Sequence, residues 1–335
     1  MFPALASWRF VLLVAGVLTA AGSALRAADE PWENLPNGVL GQVADFEGAG
    51  GVRIAGYLRR PTGAGPFPLV IVLHGAGPTA RPVHSDDEQA LLKMRAAEAR
   101  RASRVLGRAS NPPIPDFLAR GWAVYTIDYR PNPRYTLDPL EWEDTVVAVN
   151  KARSFAFVDP KRIAMFGGSH GGHVTARMAS RVNLACAVLC APAGLDLMAL
   201  AHQAEQGARI GGNQRLIREL EQRSGVRMAE VEKHPEAYQY SSPFTEVAHV
   251  RCPILLISRR NDFSAPLAVM DAYVDQLRAA GKQADTYHPD NGPHGFYVGL
   301  PRPIPETAES TRRAVAFLKM HFERAATASQ GTPRG

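Results

Sequence analysis

Short runs of apolar residues recur along the chain, each too brief for a helix and each followed by a turn or a change of pattern. They are Leu69–Leu73, Trp122–Tyr129, Ile163–Phe166, Leu184–Cys190 and Pro253–Ser258. An unbroken apolar run of this length is expected of a parallel strand buried on both faces. Gly51–Arg60 instead alternates, with Val52, Ile54, Tyr57 and Leu58 as inward candidates, and reads as an early antiparallel strand. Asp285–Tyr287 reads as one more short strand. Between the runs the apolar spacing changes to that of a helix. Trp142, Val146, Val149 and Ala152 keep it through Glu141–Ala156; Leu267–Ala280 and Glu306–Phe322 read as helices too, and Phe117–Gly121 closes another. Strand and helix in alternation predict an α/β fold: a mostly parallel sheet with helices on both faces.

Two stretches interrupt the alternation. Asp86–Leu106, within an insertion near residues 81–116, is rich in Ala, Leu and Arg and predicts a long helix with a basic face. It reads either as a solvated surface helix or as a flap that touches substrate. Asp196–His249 carries charged helical pieces at Leu197–Gln206, Asn213–Arg223 and Met228–Lys233. Lying between two core strands, it is placed to form a helical cap over their carboxyl ends.

The ends of the chain follow other rules. Arg9 precedes the apolar run Phe10–Ala21 and the small residues Gly22 to Ala28, the pattern of a secretory signal peptide. Cleavage after Ala27 is expected, with Ala24 the alternative, and the run is shorter than a membrane span. A retained N-terminal anchor is the other reading; none is expected, and the mature protein is expected to be secreted or periplasmic. The folded domain should then occupy residues 28–325, with 326–335 a disordered tail. The chain of 335 residues carries +6 formal charge, which falls to +4 if Arg9 and Arg26 leave with the signal, 36 basic residues then facing 32 acidic. No basic tract or nucleic-acid motif accompanies that charge. Three cysteines, Cys186, Cys190 and Cys252, give no disulfide framework and read as buried thiols.

The candidate chemistry sits at the ends of the apolar runs. Gly167-Gly168-Ser169-His170-Gly171 has the spacing G-x-S-x-G between a strand and a helix. A turn that sharp strains the serine backbone and leaves no room for a Cβ at the flanking positions, so glycines are required there. A serine hydroxyl needs a base within reach and an acid to orient the base. His294, in Asn291-Gly292-Pro293-His294-Gly295-Phe296, and Asp262, in Arg260-Asn261-Asp262-Phe263, follow later strands. His288 is the alternative base; Asp290 and Asp285 are alternatives to Asp262. An oxyanion would be met by the N–H of His170 and by a second donor in His74-Gly75-Ala76-Gly77, with Ala76 favoured over Gly75. His74 reads as structural. Arg259 and Arg260, in the loop that carries the acid, are candidates for binding an anionic substrate.

Together these segments resemble the α/β-hydrolase superfamily, and within it the prolyl-oligopeptidase-type and dienelactone-hydrolase-like branches. The resemblance rests on His74-Gly75-Ala76-Gly77-Pro78, on Gly167-Gly168-Ser169-His170-Gly171-Gly172, on the Asp262 loop ending in Pro266 and on Pro293-His294-Gly295-Phe296, and it spans about residues 50–322. It implies a serine hydrolase acting on small-molecule esters or short peptides without cofactor or metal. There are departures. Dienelactone hydrolases carry cysteine where this chain has Ser169, and the peptidase-like pattern has glycine where this chain has Arg259. Large peptidases of the type add a propeller domain, for which the residues ahead of the first core strand leave no room. Ester cleavage is therefore expected over peptide cleavage. A silent binding protein on the same fold is the reading from another class; the Ser169, Asp262 and His294 set argues against it. The oligomeric state is not legible.

Overall fold

A computed structural model describes residues 31–75, 113–130, 139–205, 213–236, 242–262, 265–298 and 304–330. By its contacts the chain divides into Met1–Glu30, outside the described residues, and the unit Pro31–Gly335. The segment expected to be a signal peptide and the helix expected over Asp86–Leu106 lie outside the described residues, as does Ala76.

The apolar runs form strands of one sheet. The strands are β1 (Glu33–Leu35), β2 (Val39–Val43), β3 (Phe46–Glu47), β4 (Arg53–Ile54), β5 (Gly56–Pro61), β6 (Phe67–Leu73), β7 (Ala123–Ile127), β8 (Val158–Gly168), β9 (Ala187–Cys190), β10 (Ile254–Ile257) and β11 (Ala284–Tyr287). Among the described residues, nine of them make a sheet in the order β1-β2-β5-β7-β6-β8-β9-β10-β11, and β3 and β4 pair separately. From β7 to β11 every pairing is parallel; β1, β2 and β5 join antiparallel at one edge. The α-helices among the described residues are α1 (Ile114–Ala119), α2 (Pro139–Ser154), α3 (His170–Arg181), α4 (Leu197–Glu205), α5 (Asn213–Ser224), α6 (Leu267–Ala279) and α7 (Pro305–Gln330). Leu69, Val70, Ile71, Ile163, Ala164 and Met165 in the central strands are wholly buried, as runs without polar alternation require.

The strand order reverses beside β6. The chain passes from β6 to β7 on one side and then crosses to β8 on the other, so β6 and β8 are neighbours, with Leu73 paired to Gly167. A crevice at the carboxyl ends of two strands that diverge in this way is where ligands bind in open α/β sheets. Gly168, Cys190, Ile257 and Tyr287 fall in register across β8 to β11, so the loops after those strands open on the same edge.

Three features differ from the sequence reading. The alternating segment is two strands, β4 and β5, with Ile54, Tyr57 and Leu58 buried and Val52 only partly so. Ahead of it, β1 and β2 extend the sheet; their mixed residues, Asn34, Gly41 and Gln42 among them, hide the period. The first part of the tail expected over 326–335 is instead the last turn of α7, which runs to Gln330. Nothing between Ala325 and Gln330 stops a helix, because the first breaker is Gly331. In the segment expected to form a cap, Leu197, Leu200 and Ala201 of α4 and Ile217 and Leu220 of α5 are buried with the main core.

Candidate active site

Ser169 stands between β8 and α3 with φ +54 and ψ −115, a conformation rare outside glycine. The surrounding contacts show what enforces it. A Cβ at Gly167 would overlap the Gly171 carbonyl and Thr175; one at Gly171 would overlap the Leu73 and His74 carbonyls. A Cβ at Gly168 would overlap the Tyr297 ring, and at Gly172 it would lie 2.9 Å from Pro192. The Ser169 N–H donates to the Cys190 carbonyl at 2.8 Å, and its own carbonyl accepts from His173 and Ala193, both at 3.1 Å. The nucleophile candidate is therefore held on both sides while its side chain projects from the crevice.

The loops after β10 and β11 bring two further groups to it. Ser169 Oγ lies 3.0 Å from His294 Nε2. On the other side of the ring, His294 Nδ1 lies 2.9 Å from Asp262 Oδ2 and 3.1 Å from Oδ1. The Asp262 side chain is fully buried and also accepts the Ala265 N–H at 3.1 Å. Gly292 at φ +117 and Gly295 at φ +88 turn the chain on either side of His294. Thr307 Oγ1 anchors that loop by donating to the Phe296 carbonyl at 2.6 Å. An imidazole between a serine and a buried carboxylate is equipped to take the serine proton and to be stabilised once charged.

The alternatives are engaged elsewhere. His288 Nδ1 donates to the Ser258 carbonyl at 2.8 Å and its Nε2 lies 3.3 Å from Asp271. Asp290 holds Arg260 at 2.7 Å, and Asp285 is exposed on the edge strand β11. His170 Nε2 meets Glu141 at 3.0 Å, and His173 Nδ1 is shared by the Ala193 and Gly194 carbonyls. Burial first, then Arg177 and His170, hold the His173 imidazole well below its usual range. Cys186, Cys190 and Cys252 are buried free thiols. Burial pushes all three upward, Cys252 to about 12, which keeps them protonated and poor nucleophiles.

For an oxyanion, His170 opens α3, so its N–H is among those with no acceptor inside the helix. Gly75 lies directly against the serine: a Cβ there would sit 3.4 Å from Ser169 Cβ. His74 Nε2 contacts Asp128 Oδ1 at 2.9 Å, and the Tyr129 hydroxyl donates to the His74 carbonyl at 2.7 Å. The Tyr129 ring also packs edge-on to His170 at 4.7 Å. Glu141, Tyr129 and Asp128 thus brace both walls of the crevice. Sequence reading missed them; the available signal was Asp128-Tyr129 directly after an apolar strand. The two arginines separate. Arg260 turns out to Asp290, whereas Arg259 Nε lies 3.7 Å from Asp262 Oδ2. Among the described residues no group of three or more His, Cys, Asp or Glu is arranged to hold a metal ion.

A family profile described as alpha/beta hydrolase fold matches residues 118–298, more than half of the chain, and one for acetyl xylan esterase matches residues 40–193. Among curated proteins the chain is similar to the quorum-quenching protein AidA of Acinetobacter baumannii, at 30% identity over 42% of this chain and 40% of that one. It is similar as well to the probable carboxylic ester hydrolase LipM of Mycobacterium tuberculosis, at 26% identity over 54% and 43%. The matched segment thus spans well under half of each of these relatives. Of solved structures, an acetyl xylan esterase from Paenibacillus sp. R4 superposes with a TM-score of 0.60 at 17% identity, covering 87% of both chains. A puromycin hydrolase gives 0.60 at 20% identity, covering 84% of this chain and 39% of its own. At such identities the structural likeness speaks for the fold. The profile match and the fold agree: the chain belongs to the α/β-hydrolase fold family.

Proposed function

We propose that the protein is an exported serine hydrolase that cleaves carboxylic esters through an acyl-enzyme on Ser169. The observation that carries this reading is the hydrogen-bonded line Ser169–His294–Asp262, drawn from three separate loops to one crevice. In the proposed reaction, His294 Nε2 takes the hydroxyl proton as Ser169 Oγ attacks the ester carbonyl. The developing oxyanion is received by the His170 N–H and by the backbone of the Gly75–Ala76 loop. The imidazolium, steadied by Asp262, returns the proton to the departing alkoxide. Water then repeats the sequence in the second half, with His294 again as base.

The acetyl xylan esterase profile and the ester hydrolase among the curated relatives support esters over peptides. An amide would also demand protonation of a poorer leaving group and tighter positioning. The test is a comparison of kcat/KM on short-chain p-nitrophenyl esters, on unactivated alkyl esters and on amino-acyl anilides. Ester turnover well above anilide turnover is expected. An anilide or dipeptide cleaved at or above the best ester would replace this reading with a peptidase.

Export is proposed from Arg9, the apolar run Phe10–Ala21 and the small residues that follow. Among the described residues no helix is long and apolar enough to cross a membrane. Mass spectrometry of the protein from its native host should find a mature start near Ala28. An intact Met1 on cytosolic protein would overturn export.

A further inference from the structure

The arginine beside the candidate acid has no role in the chemistry above. Arg259 follows β10 directly. Its backbone is fixed by its neighbours, since Ser258 donates to the Tyr287 carbonyl at 3.1 Å and Arg260 to the Pro289 carbonyl at 3.0 Å. Its side chain is only 18% exposed and leans on the triad, with Nε 3.7 Å from Asp262 Oδ2. That separation is a charge contact, too long for a hydrogen bond. Asp262 is already engaged, with Oδ2 facing His294 Nδ1 and Oδ1 accepting the Ala265 N–H. Arg259 Nε is buried and without a hydrogen-bond partner among the described residues. The other partly buried arginines behave differently. Arg130 donates to Asp144 and the Ala49 carbonyl, Arg162 to Asp159, and Arg60 to the Pro61 and Gly63 carbonyls.

Among the described residues the nearest anion to Arg259, Asp262, stays beyond hydrogen-bond distance, and a half-hidden guanidinium gains from an acceptor that closes on it. Its planar fork matches a carboxylate in paired hydrogen bonds, and burial strengthens that pairing. The location matters as much as the chemistry. Arg259 follows β10 into the loop that carries Asp262 and lies in charge contact with that residue, which places it beside the triad. Arg260 has no such position, being largely exposed and bound to Asp290.

We propose that Arg259 is a specificity-determining residue that receives a carboxylate on the substrate, so that the preferred substrates are esters carrying an anionic group near the scissile bond. The proposal rests on the ester reading above and narrows its substrate class.

The experiment uses two matched pairs, with spontaneous hydrolysis subtracted. One carries the charge on the acyl side: p-nitrophenyl hydrogen adipate and its methyl ester. The other carries it on the alcohol side: 4-carboxyphenyl acetate and its methyl ester. Each is assayed on the full-length enzyme, on Arg259→Gln and on Arg259→Lys. In at least one pair the wild type should favour the acid over its methyl ester in kcat/KM. Arg259→Gln should lower that ratio by about 10- to 100-fold, chiefly through KM, as expected for losing a charged hydrogen-bonding partner. Arg259→Lys, which keeps the charge and loses the fork, should retain part of the preference. A wild type that treats acid and methyl ester alike in both pairs overturns the proposal without reference to any variant. So does an equal loss on acid and methyl ester in Arg259→Gln with a displaced acid limb in the pH profile, which would make Arg259 a support of Asp262. If no ester is turned over, the ester reading fails by itself, and the same acid-against-neutral comparison on succinyl and acetyl anilides decides Arg259.

Discussion

At the scale of the residue, the account turns on Ser169 and its two partners. Ser169→Ala and His294→Ala should each reduce kcat by about 10⁴- to 10⁶-fold, and the double variant should lose little more, because the groups act as a unit. Circular dichroism should show both variants folded. Wild-type-like turnover in His294→Ala, with the loss falling instead on His288→Ala, would reassign the base. Ser169, His294 and Asp262 were legible in the sequence because local sterics mark them: the glycines at 167 and 171 leave space that a Cβ would fill, and those at 292 and 295 take a positive φ. Arg259 was legible only as a charge in the right loop. That it leans on Asp262 while Arg260 turns outward depends on which way two adjacent side chains leave the strand end. The His170–Glu141 pair was hidden for another reason, since 29 residues separate its members and nothing local announces the contact.

At the scale of the element, α3 explains why the site is stiff. Every residue from His170 to Ser180 is buried, so the helix is enclosed on all sides and its N-terminus cannot drift from β6 and β8. Gly171→Ala would drive a methyl group into the Leu73 and His74 carbonyls and should destabilise the fold by at least about 1–3 kcal/mol, read as a drop in denaturation midpoint. An unchanged midpoint would mean that the turn can open, contrary to this packing. The same helix makes stability depend on pH. His173 is held neutral by burial, so below its ordinary value of 6.5 the unfolded chain binds a proton that the native state does not. Stability is therefore complete above that pH and declines as pH falls through it, by up to about 1.4 kcal/mol per pH unit for one proton. His321, lowered by burial and by Arg324, acts in the same direction. Urea unfolding at pH 7.5 and 5.0 should show His173→Gln losing less on acidification than the wild type; equal losses would place the sensitivity elsewhere. The central strands could be read from the chain because burial on both faces leaves an unbroken apolar run. The antiparallel edge could not, since β1 and β2 are short, mix polar residues and glycine, and do not alternate in burial.

At the scale of the whole molecule, one sheet edge collects the ends of β6, β8, β10 and β11, and with them Gly75, Ser169, Asp262 and His294. The fold supplies the edge, while the loops supply the chemistry and the selectivity. That division explains why the class of reaction was easier to read than the substrate: strand ends follow from hydrophobic runs, whereas the segment expected to form a cap and the loop holding Arg259 follow no period. The central claim is that Ser169 is the group that becomes acylated. Its most direct test is intact-protein and peptide mass spectrometry after reaction with a fluorophosphonate. The account predicts a single adduct on the peptide that contains Ser169, loss of ester hydrolysis in proportion to labelling, no adduct in Ser169→Ala and slow labelling in His294→Ala. Stoichiometric inactivation with the adduct on another residue, or undiminished hydrolysis by Ser169→Ala, would contradict it.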